Sequence, residues 1–536
     1  MKARVLSIRP VLLSLLSGVM LAGCTVGPNF QRPKVAAPSD FTRANHAEAQ
    51  SRAVEATLTP AWWALLGDPE LVGLESRLAT DNLDVQAASA RLLESRAGLR
   101  IAGAEQYATI GGAASYNREQ ASPNGIVSLL GVTPVGAQPE SASGDTAFGV
   151  SSLPGTSGSP PYNLWQYGFD ASWELDLWGH ARRGVEAANA AMQASVEDRR
   201  AVLLSAQAEL ARDYIELRAT QTLLDITNQN LALARDIVKL TRLRLTDGVT
   251  TNLDVASASA QVASIEARLP PLQTRRDALI NALSFLLGEQ PGALGQALAD
   301  ARDIPSLPER APIGFPSELV RRRPDIRRAE AQLHAATAEI GVAQADFYPQ
   351  ISLTGSLGSQ SLQLSSLGDW ASHQFVFGPS ISLPIFQGGR LKGTLQLRKA
   401  QQQEAAIVFQ RTVLQAWHEV DDALSAYDGE QLRRDQLKVV VQQDQVALGV
   451  AQQRYRAGAI DFLNVLTVQR DLLNAESDLA QSQASAAVNL VILYKALGGG
   501  WDTAFPESHY SSGGTFRTRI ASPAILENTG PDTSPP

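Results

Sequence analysis

The sequence predicts a mixed α/β membrane protein: long α-helices continued by a transmembrane β-barrel shared between protomers, with four strands per chain and two internal structural repeats. Three observations predict it. The same short motifs recur in the same order in both halves of the chain. Each half holds about 70 residues without proline and with apolar side chains every seventh position. Each half also holds two short segments in which apolar and polar residues alternate.

The repeat is read from fixed offsets. Arg244-Leu245-Thr246-Asp247-Gly248, followed by Leu253-Asp254-Val255, reappears 210 residues on as Arg454-Tyr455-Arg456-Ala457-Gly458, followed by Leu463-Asn464-Val465. The same offset carries Leu287-Gly288 to Leu497-Gly498. Upstream, Asp84-Val85 matches Asp325-Ile326, and Tyr107–Ile110 matches Tyr348–Ile351, at an offset of 241. The 31-residue difference falls on a Gly/Ser/Pro-rich stretch, 118–161, which is expected to be an extracellular loop joining two strands. Copy one is assigned to 61–300 and copy two to 310–500.

The N-terminus supplies an address. Lys2, Arg4 and Arg9 precede an apolar run from Val11 to Leu21, and Leu21-Ala22-Gly23-Cys24 follows. This pattern is a secretory signal peptide, 1–23, ending at a lipobox. The chain's one cysteine stands where lipidation requires it, so Cys24 is expected to carry a covalent lipid. Thr25, in place of an aspartate, directs a lipoprotein to the outer membrane. Residues 24–60 then form a lipid-anchored arm, and 501–536 a polar C-terminal tail expected to be disordered. A lipid anchors a protein without inserting it.

No proline occurs from Gly179 to Gly248 or from Gly389 to Gly458. As helices these stretches span roughly 100 Å each. Leu203, Leu210, Leu217, Leu224, Leu231, Val238 and Leu245 form one heptad row. Val413, Val420, Tyr427, Val441, Leu448 and Tyr455 form the other, interrupted by Arg434. After each glycine the chain returns in heptads, through Val255, Val262, Leu269 and Leu283 or through Val465, Leu472, Leu479 and Leu493. Each copy therefore ends in two very long helices packed along a supercoiled seam.

The strands are expected at about 107–117, 164–178, 348–358 and 374–386. In the second, Trp165, Tyr167, Phe169, Ala171, Trp173, Leu175 and Leu177 alternate with Gln166, Gly168, Asp170, Ser172, Glu174 and Asp176. In copy two, Phe375, Phe377, Ile381, Leu383 and Ile385 oppose Gly378, Ser380 and Ser382, while Ile351, Leu353 and Leu357 oppose Ser352, Thr354 and Ser356. One aromatic-rich face and one polar face suit a strand between lipid and a wet lumen. Four strands cannot close, and an open edge in lipid leaves backbone groups unpaired. The barrel must therefore be shared: two chains give eight strands and a filled bore, three give twelve and room for water.

These residues resemble the outer-membrane efflux family (TolC/OprM-like), in its lipidated NodT-type branch. The resemblance spans about 24–500. It rests on Cys24-Thr25-Val26-Gly27-Pro28-Asn29-Phe30 with Pro33, Trp173-Glu174-Leu175-Asp176-Leu177-Trp178-Gly179, Arg321-Arg322-Arg323-Pro324-Asp325-Ile326, Phe347-Tyr348-Pro349, Pro384-Ile385-Phe386-Gln387-Gly388-Gly389-Arg390 and the two glycine turns. It implies a homotrimer with a twelve-stranded barrel and a periplasmic helical tunnel. It also implies a periplasmic adaptor protein and an inner-membrane pump, often of the resistance–nodulation–division type, as partners. The implied function is the exit duct of a tripartite efflux system for small molecules, with no cofactor beyond the lipid. The turns would form a gated periplasmic mouth where the adaptor docks. Its candidate residues are Arg244, Asp247, Gly248, Asn252 and Asp254 in copy one, and Arg454, Tyr455, Arg456, Gly458, Asp461 and Asn464 in copy two. Where family members often carry aspartates after the second glycine, this chain has Asn464 and Thr467, so Asp254 is the best acidic candidate, and Asp254→Ala is expected to raise leak conductance.

Other classes fit less well. A net charge of −8 argues against nucleic acid. The six histidines (His46, His180, His334, His373, His418 and His509) are scattered without ligand spacing, so no metal site is expected. No nucleophile elbow, phosphate loop or zinc motif points to an enzyme. Asp421-Asp422 reads as helix surface, and Arg321-Arg322-Arg323 as a solvated helix start with local ion pairs. A passive envelope scaffold would need no polar lumen; Gln166, Asp170, Ser172 and Glu174 provide one.

Overall fold

The computed structural model describes residues 25–36, 38, 51–54, 56–120 and 161–505. Cys24, the signal peptide, most of the 118–161 loop and residues 506–536 lie outside them. The arm contributes β1 (Arg52–Val54), and copy one runs through α1 (Pro69–Asp81), α2 (Leu83–Ala104), β2 (Thr109–Glu119), β3 (Tyr162–Glu174), α3 (His180–Thr246), α4 (Asn252–Glu266) and α5 (Leu269–Leu286). Copy two runs through β4 (Arg310–Pro312), α6 (Pro316–Arg322), α7 (Pro324–Ala345), β5 (Gln350–Ser361), β6 (His373–Ser382), α8 (Arg390–Arg456) and α9 (Phe462–Ala496).

Helices α3 and α8 are 67 residues each. Each starts after a left-handed glycine, Gly179 or Gly389, and runs unbroken because no proline removes a backbone donor. The heptad rows face inward. Leu203, Leu210 and Leu217 are fully buried in α3, as are Val413, Val420 and Tyr427 in α8, with Arg434 buried in the same row. The return in copy two is one 35-residue helix, α9. The return in copy one is not a single long helix. It breaks at Ala267-Arg268, where Pro270 and Pro271 open α5 without the amide donors that continuity needs. Among the described residues no helix is long and apolar enough to cross a membrane.

The four long strands form one antiparallel sheet in the order β2-β3-β5-β6. Register partners share a face. One row runs Gly112, Phe169, Leu357, Phe375, and its neighbour Ile110, Ala171, Gly355, Phe377. Between them on the opposite face lies Gly111, Asp170, Ser356, Val376, and beyond it Thr109, Ser172, Thr354, Gly378. The hydroxyls of Ser352 and Ser380 meet at 2.7 Å on that polar face. Strands β3 and β6 end at Glu174 and Ser382, short of residues 178 and 386; the alternation outlasts the ladder. Among the described residues the outer edges of β2 and β6 have no strand partner.

Where the copies meet, Trp62 stacks on Tyr494 at 5.5 Å inside the main apolar core. Alternation missed β1 and β4, which form a three-residue parallel ladder pairing Arg52 with Arg310. The arginine run is not simply solvated. Arg323 is buried and donates to Asp325, Glu419 and the carbonyl of Ala496, while Arg322 bonds Asp502. The C-terminal tail likewise begins later than 501. Trp501 is buried beneath the Arg200 guanidinium, and Gly499 accepts a bond from Trp62.

Glu75 is 2% exposed on α1, and neither carboxylate oxygen meets a donor among the described residues. Burial holds its carboxyl well above the ordinary carboxylate range. Its contribution to stability is therefore intact at low pH and erodes as pH rises past the pKa of the unfolded chain. Glu75→Gln is expected to raise the melting temperature at about pH 8 but not at about pH 4.5; an equal change at both would contradict this assignment.

Candidate functional site

The turns after α3 and α8 share one geometry. Val249 N donates to the carbonyl of Arg244 at 2.9 Å and Gly248 N to that of Leu245 at 3.0 Å; Ala459 with Arg454 and Gly458 with Tyr455 repeat both bonds. These paired bonds define the Schellman ending, which requires a left-handed residue. Gly248 and Gly458 supply it with φ of 73° and 71°. A cluster drawn from α3, α4, α8 and α9, including Val238, Ala258, Tyr455 and Phe462, places both turns at one end of the helices.

Arg244 ties them together. Its Nη1 donates to the carbonyl of Tyr455 at 2.6 Å, and its guanidinium lies 4.4 Å from the Tyr455 ring centre. Tyr455 is buried against Phe462, with ring centres 5.7 Å apart. Its hydroxyl has no partner among the described residues. The equivalent arginine of copy two, Arg454, is exposed.

The chain diverges between copies on leaving the turn. Asp254 accepts from the Thr250 hydroxyl at 2.6 Å, the Thr251 amide at 3.0 Å and the Thr251 hydroxyl at 2.9 Å, while Thr251 Oγ1 accepts from the Asp254 amide. This capping box starts α4. The Thr250 hydroxyl, then the Thr251 amide, hold the Asp254 carboxyl below its ordinary range. Asp254 is thus engaged within its own turn. In copy two Asp461 stands at the helix start without a side-chain cap, and Asn464 replaces the box carboxylate. Asp247, Asn252, Arg456, Asp461 and Asn464 are exposed. Among the described residues none of Asp247, Arg454, Arg456 and Asp461 has an ion-pair partner within the protomer.

At the opposite end the arm residues lie against the start of α3. Val26 N donates to the carbonyl of Trp178 at 3.0 Å, Arg183 donates to Asn29 at 2.6 Å, and Phe30 stacks on His334 at 4.4 Å. Gly27 has φ of 94°, and a Cβ there would lie 2.5 Å from the Gly341 backbone. The motif following Cys24 is therefore a packed strap, and its close glycine approach is a signal that spacing alone does not reveal.

A family model described as "Outer membrane efflux protein" matches residues 74–289 and 315–499. The chain belongs to the outer membrane efflux protein family. Relatives of this outer membrane efflux protein span its length. The solvent efflux pump outer membrane protein SrpC of Pseudomonas putida is 32% identical over 489 residues, covering 90% of this chain and 97% of its own. The pyoverdine export outer membrane protein OpmQ of Pseudomonas aeruginosa is 31% identical over 494 residues, covering 92% and 97%. Among solved structures, the outer-membrane channel OprN matches with a TM-score of 0.79 at 32% identity, covering 89% of this chain and all of that one. The outer membrane efflux protein described here is accordingly an exit duct of an efflux system.

Proposed function

We propose that three copies of this chain share one twelve-stranded barrel in the outer membrane, anchored by lipid on Cys24. Their helices project as a tunnel through the periplasm to a gated mouth at the paired turns. There the trimer meets a periplasmic adaptor and an inner-membrane pump of the resistance–nodulation–division type. One observation carries this reading: a four-stranded sheet, apolar on one face and polar on the other, with neither edge paired among the described residues. In lipid such edges must be satisfied, so β6 of one protomer pairs with β2 of the next. Three protomers leave a water-filled bore where two would leave it packed. Exposed apolar residues in two heptad-spaced runs on α8 (Ile407 and Leu414, then Leu432, Val439 and Val446) offer the matching helical contact. The contact between Val26 and Trp178 holds the described start of the arm against the barrel end of α3, which is the end that a lipid anchor requires.

The duct carries out no covalent chemistry in this reading. Relatives named for solvents and for pyoverdine stand at nearly equal identity, which favours cargo choice at the pump. Conductance of the purified assembly in planar bilayers tests the proposal, since silence even with the mouth residues replaced would favour a scaffold. Arg244 holds the mouth by a charged hydrogen bond and a ring contact, together worth about 2 kcal/mol. Arg244→Ala is expected to raise the open population roughly tenfold or more, measured as single-channel open probability. An unchanged value would remove the Arg244–Tyr455 contact from the gate.

A further inference from the structure

The heptad interruption at Arg434 has no part in the duct. Arg434 lines a cavity of about 1120 Å³ bounded by β1, β4, the 303–308 segment and α8. Lys438, one turn further along α8, lines it as well; its Nζ lies 3.2 Å from Asp435, and the side chain remains 39% exposed. Arg52 and Arg310 line the same cavity as direct register partners of the parallel ladder. Both are exposed, and among the described residues neither side chain has an ion pair or hydrogen bond. Like charges at facing positions repel, and in a chain of net charge −8 the pair stands without an ion-pair partner among the described residues. Asp303 and Glu309 complete the lining with two carboxylates.

Paired guanidinium forks are matched to carboxylates, and the two acidic side chains to an ammonium. We infer that this cavity binds a short peptide carrying several free carboxylates and a primary ammonium, the composition of the stem peptides of the cell wall. The inference rests on the reading that the helices cross the periplasm. Arg434 stands 44 residues from the start of α8, roughly 66 Å along its axis, at a height where a periplasmic polymer is reached and a membrane is not. The duct would thereby be tethered to the wall at its middle.

Calorimetric titration of the detergent-solubilised assembly with a soluble disaccharide–tetrapeptide cell-wall fragment tests this. The expected result is saturable binding at one site per chain. It should weaken at least tenfold in the double variant Arg52→Gln, Arg310→Gln, and by a similar factor when the fragment's carboxylates are amidated. The amidation arm uses unaltered protein, so it decides the matter even if the double variant assembles poorly. A linear acidic peptide of equal charge should bind at least tenfold more weakly. No binding by the unaltered protein, insensitivity to amidation, or equal affinity for the linear peptide would each overturn the inference. Channel conductance is expected to be unchanged in the double variant, so a failure here leaves the duct reading standing and a silent channel leaves this one measurable.

Discussion

Phe169→Arg should prevent stable assembly in the membrane, while Ser172→Arg, three residues away, should permit it and turn the pore against cations. Phe169 lies in the middle of β3, is 61% exposed on the protomer, and belongs to the apolar row with Leu357 and Phe375. An arginine on the lipid face near the bilayer midplane costs about 2–4 kcal/mol, and the proposed shared barrel would carry that cost once per protomer. Ser172 belongs to the polar row with Thr109 and Thr354. A cation there stands in water, where it repels other cations at short range. Oligomer recovery on unheated gels and ion selectivity in planar bilayers read the two effects. Normal assembly of the first variant together with collapse of the second would mean that the faces are reversed.

Arg218→Ala should lower stability by about 3–5 kcal/mol. The side chain is 0% exposed. Its Nη1 donates to Gln221 and to the carbonyl of Asp300, both at 2.8 Å, and its Nη2 to Glu70 at 2.7 Å and Tyr214 at 3.0 Å. Tyr214 in turn donates to Asp68, the cap of α1, at 2.5 Å. Removing the guanidinium takes from the Glu70 carboxylate its buried partner, leaving it only the half-exposed Arg302 at 3.0 Å, and leaves the Tyr214–Asp68 bond to hold the start of α1 on α3. Lysine cannot restore it, because a single ammonium does not reproduce the fork. A partner change, Arg218→Met with Glu70→Gln, should recover much of the loss, since it removes both charges together. Urea unfolding at fixed protein concentration measures this; a loss below about 1 kcal/mol would show that the network is slack.

How far these features were legible depends on how local their cause is. The 67-residue helices and the strand faces are periodicities, visible in any window that contains Leu203–Leu217 or Trp165–Trp173. The break before α5 was also visible in Pro270 and Pro271, but a heptad row that continues through Val262 and Leu269 hides it. The β1–β4 ladder is three residues long and joins segments more than 250 positions apart, so no pattern announces it. Arg218 and Arg323 look solvated in sequence because arginine usually is. What buries them is a set of partners brought from far along the chain, Glu70 in one case and Glu419 in the other. Trp501 was lost in a tail of polar composition.

At the paired turns, the glycines and Arg244 stood out because the motif occurs twice. What the repeat could not convey is that the two copies use equivalent positions differently. Arg244 turns inward onto Tyr455 while Arg454 faces solvent. Asp254 caps a helix behind Thr250 and Thr251, whereas Ile460 and Asp461 precede Asn464 and build no box. The sequence motif repeats, and divergence within it decides which arginine reaches across to the other turn.

The central claim is that one protomer's sheet is a fraction of a barrel, sealed only by its siblings. The mass of the mature, detergent-solubilised particle, measured by light scattering with the detergent contribution subtracted, tests this most directly. Three chains per particle is the predicted result. A single chain that stays dispersed and folded in detergent-free buffer would contradict it.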